Sequence, residues 1–461
     1  MAGEVGPVRT QDVDQPRSSA LPDDVPSVGP AWRAWYTVGV LTLLYMLAML
    51  DRSVLSLLVV PIKRDFGVND VQLSLLLGLS FAIFYSLLTI PAGYLVDRVS
   101  RRTLVGTSVL LWSAMTVSAG AARSFGQLFV ARMGVGIGEA GISPAAFSLI
   151  RNSLPARQHG RAFSIYALGP VLGNAGAFML GGLLLSAAAN GAFAGVPVLA
   201  SLRPWQTVLV VVGLAGVPLA LLAATLHEPA RVSARAEGAG ATFGDTFRHI
   251  HAHGRRYACI IGFAVSLNMV AAAYSAWTPT IFARNFALEP AAIAFRIGAI
   301  NLAFAPLGLL LIGMSIDRLA HRGARDAAAR IGLFTSAAVL VIGTMLPLAR
   351  SVTAGFVLLA LLQLVMASFY TVAATLLAAG TPVRLIGKLT ALYLAFVGIL
   401  AQSLGPLAAA YLGQHLFSGR NALGSGVSLT VLVFATLGIG FLVLLIFSKR
   451  PDERASQSRR P

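Results

Sequence analysis

Twelve long apolar runs punctuate this chain, and no other feature limits its possible folds so severely. They fall at about 36–60, 72–96, 103–122, 127–150, 161–187 and 205–227, then at about 257–283, 293–316, 329–348, 352–379, 386–412 and 427–447. A run of ~20 apolar residues matches the hydrocarbon thickness of a bilayer, and only a backbone that satisfies its own hydrogen bonds can cross it. The pattern predicts an all-α polytopic membrane protein with twelve transmembrane helices. Charged residues make up 11% of the chain, against roughly 25% in soluble proteins, so in water it could not cover its own surface.

Charge then sets the topology. Of the 35 Lys and Arg residues, 25 lie in the tails and even-numbered connections, 8 lie in the odd-numbered ones, and Arg52 and Arg132 lie inside spans. The positive-inside rule places both termini in the cytoplasm. It also explains the net charge of +17 without a nucleic-acid partner, since the basic residues form no single patch. Residues 1–31 read as a disordered cytoplasmic tail without the apolar core of a signal peptide. Residues 32–227 read as an N-terminal six-helix bundle, 228–256 as a cytoplasmic linker, 257–447 as a C-terminal six-helix bundle and 448–461 as a second tail. Trp32, Trp35 and Tyr36 are placed at the membrane interface. The single cysteine, Cys259, reads as a buried, inert thiol. His249, His251 and His253 read as part of a solvated loop rather than a metal site, and no cofactor is expected.

The two halves repeat. The second span ends in Gly93-Tyr94-Leu95-Val96-Asp97-Arg98, followed by Arg101 and Arg102, and the eighth in Gly313-Met314-Ser315-Ile316-Asp317-Arg318, followed by Arg322. Parallel six-helix repeats around a midplane site are a transporter architecture. The G-x-x-x-D-R-x-x-R-R stretch at 93–102, Arg132-x-x-x-Gly136, and Gly169-Pro170 with Gly173, Gly176, Gly181 and Gly182 resemble the motifs of the major facilitator superfamily from about residue 33 to 447. Leu50-Asp51-Arg52, Arg132 through Ala140 with Pro144, Arg161 through Tyr166, and Trp277-Thr-Pro279 through Arg284 are similar to the Spinster family, which includes sphingosine-phosphate exporters and lysophospholipid transporters. Arg151-Asn152 departs from that pattern, where a Ser-Asp pair is expected.

Four charged residues fall within hydrophobic spans away from their edges: Asp51, Arg52, Arg132 and Glu139. Each costs about 2.5–3.5 kcal/mol at the centre of a helix on insertion scales, so they must pair or face water. Arg132 and Glu139 are seven apart and share a helix face, ~10 Å apart along the axis. Asp51 falls between them in depth and can bond Arg132 if the first and fourth helices share a face. Asp51 and Glu139 are the expected proton-coupling groups, with Arg132 alternating between them and an anionic substrate group. Arg52, turned ~100° from Asp51, either joins this ion-pair switch, joins a neighbouring helix or snorkels outward. The alternative is a static cluster that only fixes the first and fourth helices.

The second half has no charge within a span. Its candidate lining groups are Asn268, Tyr274, Trp277, Asn301, Gln363, Tyr370, Tyr393 and Gln402, joined from the first half by Tyr166; for each alone, helix packing is a competing explanation. At the cytoplasmic ends, Gly93, Asp97, Arg98, Arg101, Asp317 and Arg318 form a candidate gate. Asp97 is expected to meet the start of the eleventh helix and Asp317 the start of the fifth, because helix amino termini attract carboxylates.

Protease, hydrolase and phosphate-loop motifs are missing from the sequence, which argues against an enzyme or an ATP-driven pump. The expected function is a proton-coupled secondary transporter working by alternating access, monomeric and embedded in the lipid of a bacterial inner (plasma) membrane. The charged wall and the apolar wall, with the Spinster resemblance, imply an amphiphilic or lipid-like substrate. An organic-anion:proton symporter and a multidrug:proton antiporter are the competing readings.

Overall fold

Where the sequence carries its apolar runs, the structure carries helices long and apolar enough to cross a membrane. The protein is described by a computed structural model that covers residues 30–96, 98–228, 243–286, 288–324, 326–366, 368–379 and 381–448. The helices are α1 (Ala31–Leu57), α2 (Asp70–Val96), α3 (Arg101–Gly120), α4 (Phe125–Ser153), α5 (Gln158–Ala189) and α6 (Pro204–Ala224), then α7 (Gly254–Phe286), α8 (Pro290–His321), α9 (Ala327–Leu348), α10 (Val352–Ala378), α11 (Val383–Leu416) and α12 (Ala422–Phe447). Among the described residues there are no strands. Several helices outrun their apolar stretches by a turn or two, because a helix continues into the polar interface once its backbone bonds are propagating.

Local signals start and bend these helices. Asn69 and Gln72 form a capping box at the start of α2, and Ser100 and Ser124 cap α3 and α4. The chain reaches α2 through Gly67, whose φ of 63° lies in the left-handed region that glycine tolerates. α4 breaks after Glu139 and resumes at Ile142. A single π-helical turn interrupts α2 at Leu75–Leu79.

The twelve helices form two six-helix bundles, α1–α6 and α7–α12. Tyr36 on α1 meets Thr225 just past α6 at 2.6 Å, and Tyr257 on α7 meets Thr381 before α11 at 3.0 Å. Residues 30, 228 and 448 thus share one end of the molecule, called here the proximal end; the other is the distal end. Large apolar side chains such as Leu87, Ile90, Leu221, Phe334 and Val341 stand on the exterior, as a hydrocarbon surround requires. The linker is not a plain loop: residues Phe243–Ala252 form a helix, and His249 Nε2 meets the Tyr257 hydroxyl at 3.0 Å. The loop reading missed this because few apolar residues mark the segment; Tyr257 and α11 supply the surface it packs on. Of the tails expected at 1–31 and 448–461, Ala31 and Ser448 belong to helices, while residues 1–29 and 449–461, like 229–242 of the linker, lie outside the described residues.

The bundles meet at the distal end. A Cβ on Gly298 of α8 would lie 2.8 Å from the Ala175 carbonyl oxygen of α5, and one on Gly182 would lie 3.5 Å from the Ala291 backbone. On the opposite flank, a Cβ on Gly78 would lie 3.3 Å from Ser403 Cα of α11. Such approach is open only to helices carrying small residues.

Candidate functional site

Two parallel ion pairs join α1 to α4. Arg132 Nη1 donates to Asp51 Oδ1 at 3.3 Å, and Thr116 of α3 donates its hydroxyl to Asp51 Oδ2 at 2.5 Å. Arg52 donates to Glu139 Oε2 from Nε at 2.7 Å and from Nη2 at 2.5 Å. Asp51, Arg132 and Glu139 are all 1% exposed. Each carboxylate therefore has its own guanidinium, and the cluster is neutral when all four groups are charged. Removing one member of such a buried pair costs about 3–5 kcal/mol, because it strands its partner in low dielectric.

The pairing of Asp51 with Arg132 follows the depth expected from the sequence, and it resolves the position of Arg52. Side chains on a helix lean toward its amino terminus. On α1 that direction is proximal, so the long Arg52 side chain reaches back to Glu139, about two turns beyond Arg132 on α4. Its guanidinium lies 4.2 Å from the centroid of Phe81 and 4.5 Å from that of Tyr85, where aromatic faces favour a cation. The Arg52 side chain is 25% exposed and that of Arg132 2%. Arg52 is the cation that an incoming anion can touch; Arg132 is enclosed. Two polar atoms of the cluster, Glu139 Oε1 and Arg132 Nε, have no hydrogen-bond partner among the described residues.

An aromatic wall continues from this cluster. Tyr45 stacks on Tyr166 with ring centroids 4.8 Å apart, and Phe147 meets Tyr166 edge-on at 5.8 Å. Tyr370 of the second bundle is half exposed, its ring centroid 4.0 Å from that of Phe369. A chain of polar side chains runs beside the aromatic wall: Asn174 of α5 donates to Ser53 Oγ at 2.9 Å, and Asn301 of α8 donates to Asn174 Oδ1 at 2.9 Å. Gln363 of α10 donates to Asn301 Oδ1. This chain crosses from one bundle to the other, starting one residue from Arg52.

Other expected lining residues are spent on packing. Tyr274 donates its hydroxyl to the Gly343 carbonyl of α9, and Trp277, fully buried, donates Nε1 to the Pro406 carbonyl of α11 at 3.0 Å. Both hold the second bundle together. Asn268 and Tyr393 are buried, and Gln402 is exposed beside α2. Asn174, Ser53, Thr116, Tyr45, Phe81 and Tyr85 were not among the residues expected from the sequence; a polar Asn174 inside a glycine-rich apolar run was the signal available for the most informative of them.

At the proximal end, Asp97 lies outside the described residues. Asp317 and Arg318 are exposed, and among the described residues no hydrogen bond or ion pair reaches the Asp317 carboxylate. The expected lock between Asp317 and α5 is therefore not formed in this state, whose bundle contacts lie at the distal end. Gly93 has open space around it, and Arg98, in the turn after α2, donates to the Tyr94 hydroxyl of that helix. Arg101 is buried, and with the Asn152 amide turned so that its oxygen faces the guanidinium, Nη1 and Nη2 donate to that oxygen at 2.8 and 3.0 Å. Glu228 accepts from the Arg101 backbone N–H at 2.9 Å and from Ser100. Arg101 thus ties α3 to α4 inside the first bundle.

The Major Facilitator Superfamily model matches residues 41–325. The chain belongs to the major facilitator superfamily. Over 318 residues this facilitator is 31% identical to an MFS-type efflux pump of Mycolicibacterium smegmatis, covering 67% of this chain and 68% of the relative. It is 25% identical over 349 residues to Protein spinster of Drosophila melanogaster, covering 73% of this chain and 54% of that one. A solved bacterial homologue of the human lysosomal transporter Spinster, inward-facing and unoccupied, superposes with a TM-score of 0.75 at 24% identity, covering 91% of this chain and 96% of that one. The facilitator is a multi-pass membrane transporter of alternating-access fold, and it resembles the Spinster proteins as its motifs imply; its family and relatives are transporters, not enzymes.

Proposed function

We propose that this chain is a proton-coupled carrier for an amphiphile with an anionic head group. The observation that carries this reading is the placement of two buried carboxylates, Asp51 and Glu139, each against its own arginine on one wall. Neutralising either carboxylate with a proton frees its arginine, and a freed Arg52 is the group exposed enough to take up an anion. Arg suits this exchange because it stays charged and can grip carboxylate or phosphate with two donors. The aromatic faces of Phe81, Tyr85 and Tyr45 supply apolar surface beside the charge.

In this reading the proximal end is cytoplasmic, as the charge of the connections requires, and the state described is inward-facing, in a monomer within a bacterial inner membrane. Asp97 and Asp317 then act in the opposite state, closing the cytoplasmic side against the starts of α11 and α5. The Asp97→Ala variant should favour inward opening, and identical accessibility labelling of wild type and variant would count against the gate.

A second reading rests on the relatives: one is described as an efflux pump, another as a probable L-galactonate transporter of Escherichia coli. A drug:proton antiporter or an organic-anion:proton symporter uses the same charged wall. A thermal-shift screen of lysolipids, organic acids and cationic drugs separates the three. The coupling itself is tested with Asp51→Asn in proteoliposomes under an imposed pH gradient: the variant should exchange substrate but no longer accumulate it, and unchanged proton dependence would refute the assignment.

A further inference from the structure

A cavity opens at the distal end, separate from the charge cluster. Its volume is about 530 Å³, within the range of small-molecule sites. The first bundle contributes Leu57, Val60, Leu185 and Trp205; the second contributes Thr280 and Ile293. The walls are mainly apolar, yet two arginines stand among the lining residues. Arg64 is exposed and has no hydrogen-bond or ion-pair partner among the described residues. Arg203, 54% exposed, shares Asp65 with the Trp205 indole, at 3.0 Å from Nη1 and 2.5 Å from Nε1. With one carboxylate against two guanidiniums, the site carries a positive excess.

A third feature points to a missing ligand. Thr280 is 1% exposed and its hydroxyl has no partner among the described residues, whereas Thr278, two residues earlier on α7, donates to the Tyr274 carbonyl at 2.6 Å. A buried hydroxyl without a partner costs about 1–3 kcal/mol, and an acceptor entering the cavity would relieve it.

We propose that this cavity binds an anionic amphiphile from the distal leaflet of the bilayer. Its phosphate lies between Arg64 and Arg203, an ester carbonyl accepts from Thr280, and an acyl chain runs against Leu57, Val60, Leu185 and Ile293. Amphiphiles concentrate at this depth, where apolar wall meets cationic rim. Because both bundles build the walls, the cavity is complete only while their distal ends are together, and its occupant favours that state by its differential affinity.

The test uses the full chain in phosphatidylcholine nanodiscs containing either dibrominated phosphatidylglycerol or dibrominated phosphatidylcholine at equal content. Bromine quenches indole on contact, and Trp205 emission is read as the difference from the Trp205→Phe variant. Phosphatidylglycerol should quench Trp205 and phosphatidylcholine should not. Arg64→Ala, which removes an unpartnered exposed charge, and Val60→Phe, which fills the cavity, should each weaken half-quenching by about tenfold, equivalent to ~1.4 kcal/mol. A separate arm adds a brominated alkyl phosphate from solution; quenching by it alone keeps the site and identifies a free single-chain amphiphile as the occupant. Equal quenching by both lipids, quenching indifferent to both variants, or no quenching by any of the probes would overturn the proposal.

Discussion

Arg284 of the second bundle grips Asp70 of the first with two nitrogens, Nη1 to Oδ2 and Nη2 to Oδ1, each at 2.9 Å. Lys63 holds the same carboxylate at 2.5 Å. This clamp joins the bundles at the distal end, and a forked pair of this kind is among the stronger hydrogen-bonded contacts. Arg284→Ala should weaken distal closure by about 1–2 kcal/mol, roughly a five- to thirty-fold shift between states. Spin-label distances across the distal ends would show it as a longer-distance population, and the charge exchange Asp70→Arg with Arg284→Asp should restore part of the short one. An unchanged distance distribution in Arg284→Ala would remove the clamp from the closing mechanism.

Asn301 occupies the middle of the polar chain that crosses between bundles. Asn301→Ala leaves the Asn174 carbonyl and the Gln363 amide short of a partner, at a cost of about 1–3 kcal/mol. Thermal unfolding in detergent should shift down by several degrees, and the same distal labels should separate. Asn301→Leu, similar in bulk but apolar, should behave like the alanine variant if the bonds matter rather than the volume.

Gly78 tests the steric side of closure. A β-carbon there would fall 3.3 Å from Ser403 Cα, so Gly78→Val wedges α2 from α11 and should hold the distal ends apart. Transport should fall while the protein remains folded, because the clash is between bundles and not within one. Gly440→Ala on α12, with open space around the position, serves as the control and should transport normally.

Glu139→Gln removes the carboxylate that holds Arg52. Since the Arg52 side chain keeps partial exposure, it can turn toward the open space rather than remain stranded. Binding of an anionic substrate, measured by calorimetry, should then lose the pH dependence seen in the wild type while affinity is kept. An affinity that still varies with pH as in the wild type would assign the titration elsewhere.

Much of this was legible before the structure. Length and hydropathy dictate twelve spans, and the repeat at Gly93 and Gly313 dictates two bundles. The high cost of charge in hydrocarbon singled out Asp51, Arg52, Arg132 and Glu139, and depth alone placed Asp51 near Arg132. The partner of Arg52 was left open because angular position on a helix ignores the reach and lean of a long side chain. Tyr274 and Trp277 could not be separated from cavity-lining groups, since in a helix that is apolar all round no periodicity marks the inner face. The pairing of Asp70 with Arg284, a residue noted only within the Spinster-like motif, went unread because both sit at membrane edges, where charge is ordinary; only the bundle packing brings residues 214 positions apart into one pair.

The distal seam, where Gly182 and Gly298 bring α8 against α5 and Gly78 brings α11 against α2, has a consequence for leakage. Where Gly298 meets the Ala175 carbonyl and Gly78 meets the Ser403 backbone, the contact is made to main chain, and no rotamer flip opens a hole there. A water wire through the seam has to wait for whole helices to slide, a motion of microseconds to milliseconds rather than nanoseconds. Tightness against stray protons is thereby set by the rocking of the bundles themselves.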